Sequence, residues 1–264
     1  MRYYVVSDIH GFFSETRKAL LEAGFFADNE PHKLIVCGDM MDRGKETLEM
    51  QEFMMELLEN DELIFIRGNH EDLLECMLED IEYNLWEFAM GTSYHIRNGT
   101  WNTALTLADM KSEEATTHYR DLIFRTRSSD FYQALMGASL DYFETEHYIF
   151  VHGWIPARSE AASAWTPRAK NYYYDHNWRN ASKNAWFEAR WQNGMDLAKR
   201  FGIIEEGKTI VCGHYHCSWG HAKEGKAPEW GEGACFEPYL ADGIIAIDAC
   251  TSHSGRVNCI VIED

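Results

Sequence analysis

No stretch of this 264-residue chain approaches the roughly 18 consecutive apolar residues that a membrane-spanning helix needs. No secretory leader is expected, because the apolar Val5-Val6 runs directly into polar Ser7-Asp8, and the expectation is a cytoplasmic protein with no membrane partner. Basic residues are scarce: 24 Lys and Arg face 43 Asp and Glu, for a formal charge of -19. That deficit argues against nucleic acid or an anionic membrane surface as partner, since either would be repelled. An anionic substrate can bind only where metal ions or local arginines reverse the field. The seven cysteines are odd in number and scattered, so no disulfide framework is expected and reduced thiols are predicted. With 45% hydrophobic and 25% charged residues, the composition excludes a disordered or collagen-like chain. No internal repeat is present. The length suits one α/β domain over residues 1–264.

What the sequence does have is a set of short, β-branched apolar runs, each ending abruptly in small, acidic or histidine residues. Val5-Val6 leads to Ser7-Asp8-Ile9-His10-Gly11, Leu34-Ile35-Val36-Cys37 to Gly38-Asp39, and Leu63-Ile64-Phe65-Ile66 to Gly68-Asn69-His70-Glu71. Tyr148-Ile149-Phe150-Val151 leads to His152-Gly153, and Thr209-Ile210-Val211-Cys212 to Gly213-His214. Such runs read as buried strands, and in open α/β sheets ligands collect beyond the carboxyl ends of strands. Five strands ending this way predict one convergent site. Helical periodicity marks 14–23, 46–59 and 72–89 as crossover helices. A helical insertion is expected over about 92–140, with one helix capped at Ser112 ahead of Glu113 and Glu114. The Gly-rich stretch of about 218–238 reads as a loop or flap over the strand ends. After the turn signal Asp242-Gly243, Ile244–Ile247 and Val257–Ile262 are predicted to form a strand pair.

The polar residues at the strand ends are oxygen or nitrogen donors, a set that suits divalent ions such as Mn, Fe or Zn. Asp8 and His10 at i and i+2 are expected to leave a strand on the same side and chelate one ion. Asp39 can bridge two ions, and Asn69, His152 and His214 can complete the second. Two ions about 3.5 to 4 Å apart would orient a phosphoryl oxygen and lower the pKa of a bridging water. Taken singly, each of these residues has an ordinary reading as a turn, cap or core residue. The stretches Asp8-Ile9-His10-Gly11, Gly38-Asp39-Met40-Met41-Asp42-Arg43-Gly44, Gly68-Asn69-His70-Glu71, Val151-His152-Gly153 and Gly213-His214 together resemble the calcineurin-like metallophosphoesterases. Within them the likeness is to the phosphoprotein phosphatases, which include Ser/Thr protein phosphatases and bacterial diadenosine tetraphosphate hydrolases.

The resemblance implies an α/β fold, a two-sheet αββα sandwich. It implies Asp8, His10 and Asp39 on one metal, and Asp39, Asn69, His152 and His214 on the other. It further implies that His70, paired with Asp42, protonates the leaving group, that Arg43 binds phosphate, and that a metal-bridging hydroxide attacks phosphorus. The expected substrate is a phosphorylated protein or small phosphoester, with a dinucleoside polyphosphate as the alternative. A metal-bound scaffold that binds phosphorylated partners without turnover is the rival of another class, and the Asp42 and His70 pair argues against it. Three departures carry expectations of their own. His216, two residues after His214, is taken as a further metal ligand. Trp154, where protein phosphatases usually carry glycine, can narrow the substrate groove. Arg190 is chosen over Arg179 as the second phosphate-binding arginine. The aromatic segment from Tyr172 to Trp191 can stack bases but reads more readily as packing, and a zinc site at Cys212, His214, His216 and Cys217 lacks a second cysteine-rich half.

Overall fold

The computed structural model describes residues 1–161 and 170–264. Strand β1 (Arg2–Val6) is followed by helix α1 (Phe13–Ala23), β2 (His32–Cys37), α2 (Thr47–Glu59), β3 (Leu63–Ile66) and α3 (Asn69–Ala89). Five short helices come next: α4 (Tyr94–Asn98), α5 (Thr100–Ala108), α6 (Ser112–Thr117), α7 (Tyr119–Ser128) and α8 (Asp130–Ala138). Then come β4 (Phe143–Glu144), β5 (Tyr148–Phe150), β6 (Ala157–Ala161), β7 (Lys170–Tyr174), α9 (Lys183–Ala189), α10 (Gly194–Phe201) and β8 (Thr209–Cys212). The chain continues through α11 (Cys217–Lys223), β9 (Tyr239–Ala241), β10 (Ile244–Ala246), α12 (Thr251–Ser254) and β11 (Ile260–Glu263).

One sheet has the order β11-β1-β2-β3 and the other β4-β5-β8-β10-β9, while β6 and β7 pair as a separate hairpin. The period of two in the strands explains why these two sheets stack. Tyr3, Val5, Ile35 and Cys37 point inward to meet Phe150, Val211 and Ile247, whereas their neighbours Tyr4, Val6, Leu34 and Val36 face outward and pack with α1 and α2. On the other sheet Ile149, Ile210, Ile244 and Ala246 face outward against Trp178, Trp186, Leu197 and Ala198. Sheets buried on both faces need continuous apolar runs, which is what the sequence supplies. The arrangement is an αββα sandwich. Helices α5 to α7 build a core of their own with α3, around Met77, Leu78, Ile81, Trp101 and Leu122.

Several expectations are corrected. Ile244–Ala246 and Ile260–Glu263 are not partners: β10 pairs with β8 and β9 in one sheet, and β11 runs antiparallel to β1 in the other. The N-cap of α6 is Lys111, while the Ser112 hydroxyl accepts the Trp101 indole N–H at 3.1 Å. The expected flap begins as a helix, α11, and is irregular only after Lys223. Trp154 does not enter a groove; it is buried, with its indole N–H donated to the Ile203 carbonyl at 3.0 Å.

Candidate metal centre

Strands β1, β2 and β3 are parallel, as are β5 and β8, so their carboxyl ends deliver residues to one edge of the sandwich. The residues just beyond those ends leave extended geometry at once. Asp8, His10, Asp39, Asp42, Arg43 and His214 all have positive φ, between 47° and 75°. Left-handed backbone at such residues is costly and gathers where function over-determines it. Close approach of the chains is the second local requirement. At Gly38 (φ 81°) a Cβ would collide with the His152 ring, and at Gly213 with Ser7 Oγ and Asp8 Oδ2.

Asp39 lies at the middle. Its Oδ2 is 3.6 Å from His10 Nε2 and 3.9 Å from His70 Nε2, and its Oδ1 is 3.3 Å from His152 Nε2. Around Asp39 two groups able to hold an ion result, His10 with Asp39 and His70, and Asp39 with His152 and His214. Asn69 Oδ1 stands 2.8 Å from both His152 Nε2 and His214 Nδ1. Asp8 lies outside both groups; its Oδ2 accepts the His214 N–H at 2.8 Å and sits 2.5 Å from the Ser7 hydroxyl. Its relation to His10 is not one of strand alternation, because both residues are left-handed.

The donor set fits divalent ions on its own chemistry. His10 Nδ1 is 3.0 Å from the Met41 carbonyl and His152 Nδ1 is 2.8 Å from the Cys37 carbonyl, so each Nδ1 carries the proton and each Nε2 offers a lone pair. His152 Nε2 and Asn69 Oδ1 then face one another as two acceptors at 2.8 Å, near the roughly 3 Å that separates ligands held about 2.1 Å from one ion. Burial keeps the imidazoles neutral, with His10 well below its usual value, His152 lowered and His214 brought down to about 3. Burial also pushes Asp8 up to about 6 and raises Asp39, because desolvation outweighs the nearby imidazoles and, for Asp39, the Arg43 guanidinium. A divalent cation would supply the further positive charge that ionised carboxylates need here.

Beside this cluster, His70 Nδ1 donates to Asp42 Oδ2 at 2.6 Å. Burial opposes protonation of His70, but the neighbouring Asp39 and the bonded Asp42 hold its pKa above the ordinary value. The Arg43 guanidinium donates to His10 Nε2 at 2.7 Å and to His70 Nε2 at 2.9 Å, which puts it inside the site.

Two expected site residues lie elsewhere. Arg190 is buried with Asp72, donating from Nε at 2.6 Å, and reaches Asp141 from Nη1 at 2.8 Å, so its guanidinium is spent on an ion-pair network. Arg179 is no substitute, being held by Glu144 and Glu205 and lying over Trp178. His216 is turned away by a three-residue turn about His214, closed by the Tyr215 N–H on the Gly213 carbonyl at 2.7 Å. Its Nδ1 meets Ser218 Oγ at 2.8 Å and its ring sits 4.4 Å from Trp230. Sequence reasoning gave no role to Glu71, whose carboxylate accepts the N–H groups of Gly68, Asp39 and Met40 and so ties two strand ends together. Its position three residues after the Gly68 N-cap is the capping-box spacing that signals it. Thr100 and Thr103, which bond Asp42, carry no sequence signal.

Known proteins share this framework. The chain is 25% identical over 146 residues to the asymmetrical bis(5'-nucleosyl)-tetraphosphatase PrpE of Bacillus velezensis, covering 53% of this chain and 54% of that protein. It is 34% identical over 113 residues to serine/threonine-protein phosphatase 2 of Salmonella typhimurium, covering 43% and 44%. The chain thus spans about half the length of the curated relatives it matches. A solved cold-active protein tyrosine phosphatase superposes with a TM-score of 0.54 at 17% identity, over 99% of this chain and 73% of that one, a likeness of fold. The family model of the calcineurin-like phosphoesterases matches residues 1–218, the span that holds every strand-end motif described above, and the chain belongs to that family.

Proposed function

We propose that this chain is a dinuclear-metal phosphoesterase that hydrolyses phosphomonoesters, with phosphoserine or phosphothreonine protein as the leading substrate class. The observation that carries the reading is the pairing of His70 with Asp42 at 2.6 Å beside two ligand groups that share Asp39. In this reading Asp8, His10 and Asp39 hold one ion, and Asp39, Asn69, His152 and His214 the other. Ions of the Mn, Fe or Zn class bound there supply charge for the phosphoryl oxygens and acidify a water nucleophile. Arg43 exchanges its two imidazole acceptors for phosphate oxygens, which are anionic and take a guanidinium in parallel. His70, held by Asp42, gives its Nε2 proton to the departing oxygen. A reducing, cytoplasmic setting goes with the odd count of seven cysteines.

A dinucleoside polyphosphate is the second reading, favoured by the tetraphosphatase among the relatives. The test is phosphate release by the metal-reconstituted protein from p-nitrophenyl phosphate, phosphopeptides and diadenosine tetraphosphate, with metal content measured alongside. Turnover of phosphopeptides supports the first reading, and turnover of the dinucleotide alone replaces it with the second. Absence of turnover on all three, with two ions bound, rules out both.

A further inference from the structure

Asp42 is surrounded by donors. Besides the His70 imidazole, its Oδ2 accepts the Thr100 hydroxyl at 2.7 Å, and its Oδ1 accepts the Thr103 hydroxyl at 2.5 Å. Thr103 Oγ1 also accepts the Asp42 N–H at 3.2 Å. Both threonines are buried and both belong to α5, a helix of the insertion and not of the sandwich. The helix is seated by Gly99 (φ 88°), where a Cβ would collide with the Arg43 backbone nitrogen. The start of α5 therefore rests directly on the left-handed pair Asp42 and Arg43.

One consequence follows from this contact. Bonds to both oxygens fix the carboxylate plane, and with it the direction of the imidazole Nε2. A helical threonine often bonds its own i−4 carbonyl. Thr100 instead bonds Asp42, and Thr103 is 3.4 Å from the Gly99 carbonyl against 2.5 Å from Asp42.

We infer that Thr100 and Thr103 are positioning residues for proton donation, holding the Asp42 carboxylate oriented so that His70 is aimed at the leaving oxygen. This role rests on the phosphoesterase reading above. In the step it serves, hydroxide forms the new P–O bond and the ester P–O bond breaks with its electron pair on the departing oxygen. The His70 Nε2 proton neutralises that oxygen and leaves a neutral imidazole still bonded to Asp42.

The experiment compares Thr100→Val and Thr103→Val with the unaltered chain, all metal-reconstituted, on phenyl phosphate, whose leaving group needs a proton, and p-nitrophenyl phosphate, whose leaving group needs it far less. Each variant should lose about 10-fold or more in kcat on phenyl phosphate, part of the roughly 10²- to 10⁴-fold that a placed acid contributes. The loss on p-nitrophenyl phosphate should be clearly smaller, with KM and metal content unchanged. Thr100→Ser and Thr103→Ser should recover the phenyl phosphate rate. Thr100→Ala and Thr103→Ala are read by the same criterion if valine prevents folding. An equal loss on both esters, a change confined to KM, or no change overturns the role of the threonines alone. Failure of the unaltered chain to release phosphate from either ester overturns the phosphoesterase reading, and this role with it.

Discussion

A guanidinium with only imidazole nitrogens beside it, as Arg43 has in His10 and His70, is poised to prefer an anionic partner. Arg43→Lys keeps the charge but loses the parallel fork, so kcat/KM for a phosphomonoester should fall about 10-fold with metal content unchanged. Steady-state kinetics with elemental analysis checks it, and loss of metal would show that Arg43 organises ligands instead. His70→Asn should keep two ions while losing roughly 10²- to 10⁴-fold in turnover on a phosphoserine peptide. At this scale the motifs were readable, because Asp39, Asn69, His70, His152 and His214 are brought together by the very strands that precede them. Arg190 was not readable. An arginine's partner is chosen by the folded chain, and Asp72, 118 residues away, offered a buried carboxylate where a substrate had been expected.

Strands were legible for a similar reason: alternation such as Tyr3 and Val5 inward, Tyr4 and Val6 outward, is fixed by a period of two whatever the rest of the chain does. Pairing is a different matter. Nothing local tells β10 and β11 that they belong to different sheets, since the hydrophobic run that makes a strand does not name its neighbour. Helix α3 begins at Asn69, three residues before its apolar period, because its first turn is spent on the site. There Glu71 fastens the ends of β2 and β3, and Glu71→Gln should weaken the bonds to the Asp39 and Met40 N–H groups. Metal affinity should drop about 10-fold, the range seen when groups supporting ligands are changed, and a chelator competition measures it. Arg190→Ala removes one of the two arginines on buried Asp72 and leaves it Arg67, so unfolding free energy should fall by about 2 kcal/mol with little effect on KM.

For the molecule as a whole, 43 acidic residues against 24 basic ones leave the buried carboxylates dependent on added cations. Stripping metal with a chelator should therefore lower Tm by roughly 5 to 10 °C, the scale expected when a ligand held well above its Kd is removed from a chain of this size. Away from the centre, the Arg179 bond and, behind it, Lys208 bring Glu144 down to about 2 against the opposing effect of burial. A depressed folded pKa contributes stability that is complete above the usual 4.5 and fades as pH falls towards 2. In calorimetry of chelator-treated protein, the Tm gap between the unaltered chain and Glu144→Gln should be widest above pH 5 and close towards pH 2.

The bond from the His214 N–H to Asp8 spans 206 positions. A ribosome adding about 5 to 20 residues per second needs roughly 10 to 40 s to travel that distance. Over most of that interval Asp8, His10, Asp39 and Asn69 have been made before His152, and His214 comes last, so a nascent chain carries an incomplete chelating set. The ligand groups around Asp39 are complete only late in synthesis, when β8 pairs with β5.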